Sequence, residues 1–381
     1  VSDASGSDRA WMERALELAR RGWGTTHPNP MVGAVIVENG AEAARGWHAR
    51  DGGEHAEAAA LRDLGRAPRS GATLYATLEP CSTDGRTGAC TEAIARAGVR
   101  RVVVGARDPN PAHAGAGIER LRAAGVEVLD GVLAGECEDL NLIFNHWIVA
   151  GRPLAAAKCA LTLDGKFAAR TGHSRWVTGE AARADVMRWR RLFPAIAVSA
   201  GTALRDNPRL TSRMKGGEWC PRRFVLDRDL ETAREGAALP ALYADEHRGR
   251  TTAVCAADAS PERRGRVEAA GATVWALPEP CPDAFVDACG RAGIPGVYFE
   301  PGPNLVGRLF DRGTLDYLFV YTAPKWMGDA CAPGAAGARA VDSMDQAIAL
   351  RGPRHAVLGE DVLTRGHVVG PGSGASAGGS P

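Results

Sequence analysis

Four residues have the types and order to do chemistry together: His55, Glu57, Cys81 and Cys90. One imidazole and two thiols suit zinc, and a catalytic zinc usually takes three protein ligands and leaves a fourth position for water. Glu57 is then the group free to move protons. Residues two apart on a regular helix do not share a face. His55 and Glu57 can therefore converge only where a helix begins. Cys81 and Cys90 also precede or begin a predicted helix, whose positive end favours the thiolate. A lone cysteine is ordinarily a small buried apolar residue. Cys137, Cys159, Cys220, Cys255, Cys281, Cys289 and Cys331 are read that way, and His27, His48 and His113 carry no role individually.

The elements that must position these groups follow from the apolar pattern. Met12, Ala15, Leu16 and Ala19 recur at three- and four-residue steps and predict a helix over Asp8–Arg21. Val32–Glu38 is an apolar run turned back by Asn39-Gly40 through Trp47, a hairpin signal. Helices are predicted over His55–Leu64, Thr91–Ala97 and Gly117–Ala124, and strands over Ala72–Leu78, Arg101–Ala106 and Val126–Leu129. A single last helix is expected over Glu136–Ala150. Gly151-Arg152-Pro153 then breaks the pattern. Beyond it, strands are predicted near Ala155–Leu161, Ala195–Ser199, Phe224–Asp227, Thr273–Leu277, Val297–Glu300 and Leu318–Thr322. Helices are predicted near Glu180–Arg191, Glu262–Ala270, Pro282–Ala292 and Leu305–Arg312. Met214–Glu218 and Asp329–Ala338 read as loops. Alternating strands and helices imply α/β architecture with mostly parallel sheets.

With 381 residues the chain exceeds one usual domain. We expect domains at 1–150 and 151–369, and a Gly/Ser/Pro-rich disordered tail at 370–381. Lys and Arg total 46 against 45 Asp and Glu. That balance argues against a general nucleic-acid binder, though not against a local phosphate pocket. No apolar run is long enough to span a membrane. Val1–Asp8 lacks the features of a secretory signal. Nine scattered cysteines, an odd number, disfavour a disulfide framework and point to a reducing cytoplasm. A homo-oligomer stays open. Asp316–Thr322 fits a core strand better than a subunit interface.

His-Ala-Glu at 55–57 followed by Pro80-Cys81 is the arrangement of zinc deaminases, in which the Glu is not a ligand but shuttles protons. The usual spacing there is Pro-Cys-x-x-Cys; here eight residues separate Cys81 from Cys90. That longer insert resembles the bifunctional deaminase–reductases of riboflavin biosynthesis. The likeness extends to Thr26–Gly33, Gly46–His48, Glu54–Glu57, Thr77–Cys81 and Asp108–Pro111. In the second half it covers Lys158, Thr162–Lys166, Ser174–Thr178, Gly201-Thr202, Asp206–Thr211 and Glu300–Pro303. Thr83, Ala34, Gly88-Ala89 and Pro301 depart from that family's usual His, Cys, two prolines and small residue.

The resemblance implies a cytidine-deaminase-like first domain acting on a phosphorylated diamino-hydroxy-pyrimidine. It implies a dihydrofolate-reductase-like second domain that reduces the ribosyl group to ribityl with NADPH. Asn29 and His48 would line the deaminase pocket. Ser174, Arg190, Leu210, Arg213 and Glu300 would touch the reductase substrate. Ala160, Trp176, Thr202, Asp206, Arg228 and Gly302 would contact NADPH. Read without the resemblance, these positions are less specific. The Gly201 and Gly302 turns suit phosphate approach but also plain turn chemistry. Arg190 and Arg213 suit a phosphate, whereas Arg188, Arg190 and Arg191 together suit an exposed helix face. No Gly-x-Gly-x-x-Gly follows a strand, so a Rossmann fingerprint is missing. Two other functions remain compatible: a nucleoside or tRNA deaminase, and a binding protein with one or both sites silent.

Overall fold

The computed structural model describes residues 5–83, 88–335 and 341–370. The chain forms two compact units, Val1–Gly151 and Arg152–Pro381. The disordered tail expected from Gly370 onward lies, apart from Gly370, outside the described residues. None of the described helices is long and apolar enough to cross a membrane.

The first unit runs α1 (Gly6–Ala19), β1 (Gly33–Glu38), β2 (Ala41–Trp47), α2 (Ala56–Leu64), β3 (Thr73–Leu78), α3 (Cys90–Ala97), β4 (Arg101–Ala106), α4 (Ala116–Ala123), β5 (Glu127–Asp130), α5 (Ala134–Leu140) and α6 (Leu142–Ala150). Its sheet has the order β2-β1-β3-β4-β5. β1 is antiparallel to both neighbours, and the pairs β3–β4 and β4–β5 are parallel. Four of the five strands therefore point the same way. The hairpin turn is made by Asn39 and Gly40 at φ 51° and 75°, the doubly left-handed turn that matches strand twist. Every residue of β1 and β3 is buried, because helices cover both faces.

α2 must lie close to the sheet, since it carries His55 and Glu57 at its start. Gly46 permits this: a Cβ there would sit 2.2 Å from the Ala56 carbonyl. Any side chain on β2 at that point would push the start of α2 away.

The single helix expected over Glu136–Ala150 is two helices that meet at Asn141. The reason is a tertiary bond. Asn141 Oδ1 accepts from Met31 N at 2.7 Å and its Nδ2 donates to Met31 O at 2.9 Å. Asn141 makes both bonds from a non-helical backbone, φ −105° and ψ 28°, and the two helices end and begin there.

The second unit continues β6 (Leu154–Thr162), α7 (Glu180–Leu192), β7 (Ala195–Ser199), α8 (Ala200–Asp206), β8 (Ser212–Met214), β9 (Gly217–Trp219), β10 (Arg222–Leu226), β11 (Thr251–Ala256), α9 (Pro261–Ala269), β12 (Thr273–Leu277), α10 (Pro282–Arg291), β13 (Gly296–Phe299), α11 (Pro303–Asp311), β14 (Tyr317–Ala323), β15 (Ala349–Leu358) and β16 (Asp361–Val369). Nine strands form one sheet in the order β12-β11-β10-β7-β13-β6-β14-β16-β15. Seven run parallel; β16 and β15 close one edge as an antiparallel hairpin. β14 lies between β6 and β16, so Asp316–Thr322 is core strand. Phe224, Phe285, Phe299, Leu305 and Leu309 fill one buried cluster.

Met214–Glu218, expected as loop, is the tip of a small hairpin pairing Ser212 with Trp219 and Met214 with Gly217. Its exposed residues show no apolar alternation to signal a strand. Asp329–Gly334 is irregular as expected, and residues 336–338 lie outside the described residues. The sequence reading missed β11, β15 and β16. Gly352-Pro353 hid β15, which tolerates a proline because it is an edge strand.

Candidate active sites

His55 is the N-cap of α2, with extended backbone at φ −71° and ψ 156°, and Glu57 lies in the first turn. Cys90 is the first residue of α3. Cys81 follows β3 on a short strap, where Thr91 N donates to Cys81 O at 3.2 Å. Two helix starts and one strand end thus meet. His55 Nδ1 is 3.3 Å from Cys90 Sγ and 3.5 Å from Cys81 Sγ. Cys90 N donates to Cys81 Sγ at 3.3 Å. All three candidate ligand atoms lie within 4.8 Å of one another.

The electrostatics fit a soft divalent cation. Hydrogen bonding from Cys90, with help from His55, draws the Cys81 thiol well below its ordinary value. The proton shared with Cys81 and the burial of its own thiol push Cys90 up. One nitrogen and two sulfurs of this kind are a zinc donor set that leaves one tetrahedral position open. Glu57 is 4 % exposed and makes no salt bridge among the described residues. Burial pushes its carboxyl up to about 7. A carboxyl at that value can both take and give a proton near neutrality.

His48 and Asn29 lie on segments beside this group. His48 Nδ1 meets Glu54 O at 3.0 Å, and its ring lies edge-on to His55 with centroids 5.8 Å apart. Its Nε2 is buried with no hydrogen-bond partner among the described residues. Asn29 is half-buried and donates to Asp51 at 3.1 Å.

In the second unit Ala160, Thr202, Arg228, Glu300 and Gly302 collect at the carboxyl ends of neighbouring parallel strands. Ala160 is near the end of β6, Thr202 in the first turn of α8 after β7, Arg228 after β10, and Gly302 after β13. Ligands of open parallel sheets bind along that edge. Ser199 caps α8 by accepting from Thr202 N at 3.3 Å. A Cβ at Gly302 would meet Thr202 Oγ1 at 3.6 Å, so these two turns adjoin. Arg228 is exposed and 3.7 Å from Asp229. Trp176 is 63 % exposed, with the Arg183 guanidinium 4.6 Å from its ring centre. Lys325 Nζ donates to the Trp176 and Val177 carbonyls at 2.8 Å each. Asp206 offers its carbonyl to Arg175 at 3.0 Å. Ser174 is half-buried.

Arg190 is not part of an exposed helix face. It is 9 % exposed and forks onto Glu300, with contacts of 2.6 and 2.8 Å. Its Nη1 donates to Thr211 O at 3.0 Å. Burial alone would raise the Glu300 carboxyl; Arg190 outweighs it and holds the group low. Arg213 lies beside the same loop, where its Nη1 donates to Thr211 Oγ1 at 2.9 Å. Burial and the nearby Arg190 lower the Arg213 guanidinium, against the opposing charges of Glu218 and Glu300. Leu210, beside Thr211, is buried at φ 54°. A non-glycine residue held there marks a loop fixed by its surroundings.

The sequence reading placed Lys158 in the first strand of this unit but gave it no role. The structure places it on the same face of β6 as Ala160. Burial lowers its ammonium, against the opposing charge of Glu300. A lysine four residues before the Thr162–Lys166 motif carries no distinguishing signal until Glu300 is seen near it. Glu218, Glu246 and His247 also converge, but at the surface, where Arg209 already pairs with both carboxylates.

Comparison with known proteins follows the same division. Residues 5–106 match the family described as the cytidine and deoxycytidylate deaminase zinc-binding region. Residues 153–364 match the RibD C-terminal domain. The riboflavin biosynthesis protein RibD of Actinobacillus pleuropneumoniae is 37 % identical over 382 residues, covering 96 % of each chain. That of Bacillus amyloliquefaciens is 37 % identical, covering 92 % of this chain and 94 % of its own. Among solved structures, a diaminohydroxyphosphoribosylaminopyrimidine deaminase/5-amino-6-(5-phosphoribosylamino)uracil reductase from Thermotoga maritima superposes with TM-score 0.78 at 32 % identity, covering 96 % of this chain and 99 % of that one. RibD of Acinetobacter baumannii superposes with TM-score 0.77 at 31 % identity, covering 95 % and 99 %.

Proposed function

The chain belongs to the RibD family of bifunctional riboflavin-biosynthesis deaminase/reductases, and from that premise we propose the substrate, the cofactor and the residues of each step. The deaminase substrate is 2,5-diamino-6-(5-phosphoribosylamino)pyrimidin-4-one. The reductase then converts the ribosyl group of the product to ribityl phosphate with NADPH. Nine cysteines without a disulfide fit the reducing cytoplasm where such small phosphorylated metabolites are found.

The observation that carries the deaminase reading is the convergence of His55, Cys81 and Cys90 beside buried Glu57. Those three residues would hold zinc, which when bound is a Lewis acid that makes water a nucleophile near neutral pH. Glu57 takes a proton from the attacking water. It returns protons to the ring nitrogen and to the departing amine, so water enters and ammonia leaves. His48 Nε2 and Asn29 hold the ring in place. The nucleic-acid reading loses support, because the net charge supplies no excess for a phosphate backbone.

For the reductase, Ala160, Thr202, Arg228 and Gly302 on the carboxyl edge of the sheet, with Trp176 and Asp206, would hold NADPH. NADPH supplies the hydride. Ser174, Leu210, Arg213 and Glu300 seat the sugar phosphate, with Arg213 as the phosphate partner. Arg190 aligns Glu300 and the Thr211 carbonyl. Lys158 faces the sugar and holds the proton that its opened ring oxygen must gain.

The test is to incubate zinc-loaded protein with the diamino-hydroxy-pyrimidine ribosyl phosphate and NADPH, and to follow products by mass spectrometry. Sequential loss of the amino group and gain of two hydrogens is expected. Deamination without reduction would sink the reductase half of the proposal.

A further inference from the structure

Glu79 is 5 % exposed and stands two residues before Cys81 on the strap that presents it. Among the described residues it forms no salt bridge; its carboxylate is satisfied by backbone alone. Oε2 accepts from Asp108 N at 3.1 Å and from Gly115 N at 3.0 Å. Oε1 accepts from Gly117 N at 2.8 Å and from Ile118 N at 3.2 Å. One side chain thus collects both ends of the Asp108–Gly115 loop and the start of α4.

Two further contacts tie the same parts together. A Cβ at Gly117 would lie 2.1 Å from the Pro80 carbonyl, so α4 sits directly on the strap between Glu79 and Cys81. Arg120 of α4 donates to the Ser82 carbonyl just beyond Cys81. Within the loop, Asp108 accepts from Asn110 N at 2.9 Å, so the Asp-Pro-Asn-Pro segment is held as a turn. A buried carboxylate has four lone-pair sites, and here all four are spent on one junction. That is a costly arrangement for mere packing, where an apolar residue would serve.

We propose that Glu79 is a positioning residue of the deaminase: it fastens the Asp108–Gly115 loop to the Cys81 strap, so that this loop forms a fixed wall of the deaminase pocket. The inference rests on the deaminase assignment. It concerns substrate placement rather than metal binding or proton transfer, since Glu79 touches neither His55 nor Glu57.

Glu79→Gln tests it in the zinc-loaded full chain. Glutamine keeps the size but replaces one accepting oxygen by an amide nitrogen, so two of the four bonds are lost. The deaminase KM should rise about tenfold or more, while kcat stays within about threefold. Zinc content and reductase turnover should equal those of the unmutated protein. Hydrogen exchange should quicken at the 108, 115, 117 and 118 amides and not in β3 or β4. A general structural role would instead lower zinc content and raise exchange across the first unit, and that result would overturn the proposal. So would an unchanged KM. If the variant fails to fold, Gly117→Ala decides: its methyl would lie 2.1 Å from the Pro80 carbonyl and 3.1 Å from Glu79 Oε1, so it forces the same junction apart while keeping the Glu79 carboxylate, and a normal KM there also overturns the proposal. Glu57→Gln distinguishes the two readings, because survival of turnover in that variant removes the deaminase assignment and leaves the Glu79 junction unaffected.

Discussion

In the first unit the reacting groups belong to the chain and come from short stretches: His55 and Glu57 from one helix start, Cys81 and Cys90 from the ends of one insert. In the second unit the residues proposed for the site come from Ala160 to Gly302 and from four strand ends, and a cofactor would supply the hydride. A site that performs its own proton chemistry needs particular residue types at close spacing. A site that positions a cofactor needs a shaped edge, which many residue types can build. The first kind breaks when a single group is changed; the second breaks when its scaffold shifts.

The sharpest test of that contrast is Glu57→Gln. Deamination should fall by about a thousandfold, within the range for a general acid–base residue, with zinc content and reductase turnover unchanged. Chelation of zinc should likewise silence deamination alone. Glu300→Gln should act chiefly through structure, alongside loss of the sugar contact proposed for it: it leaves Arg190 buried without its charged partner, which costs about 3 kcal/mol. A calorimetric melt should show the second unit destabilised and the first unmoved. An equal loss of reductase activity at unchanged stability would show that Glu300 does chemistry and blur the contrast.

Asp8 gives a smaller effect confined to the first unit. Its carboxylate is held well below its ordinary 3.8, chiefly by the Arg101 guanidinium at 2.9 Å and also by Tyr75. A depressed carboxyl contributes stability above its unfolded value and loses it as pH falls through the folded one. The first unit should therefore weaken below about pH 4, by on the order of 2 kcal/mol. Asp8→Asn should be less stable at pH 7 and should lack that part of the acid transition in a urea titration. Arg213→Ala should raise the reductase KM about tenfold with little change in kcat, as loss of a phosphate contact predicts. A fall in kcat alone would move Arg213 from binding to the reacting centre.

The sequence made these two sites unequally legible. His55, Glu57, Cys81 and Cys90 announce themselves, because no packing rule asks for that set in that order. Most strands and helices of the first unit, and the central strands of the second, were readable from apolar periodicity, whereas the β8–β9 hairpin, β11, β15 and β16 were not. The break at Asn141 was not, because its cause is Met31 in a distant segment. β15 was hidden by Gly352-Pro353, which an edge strand accepts. Arg190 looked like one of several charges on a helix until Glu300 was found across from it. Lys158 had no signal of its own. Glu79 stood in a recognisable motif, yet its partners are backbone amides, which leave no mark on residue identity.

The Asn141–Met31 pairing bears on how portable the deaminase is. All three candidate ligands and Glu57 precede Ala106, where the zinc-binding family match also ends. The segment carrying Asn29 is anchored much later, by an asparagine at the junction of the last two helices. A chain cut after Ala106 would keep every candidate metal ligand and lose the clasp on the segment proposed to hold the substrate. Transplanted alone, the motif region would carry the metal-binding capacity into a new protein and leave the selectivity behind.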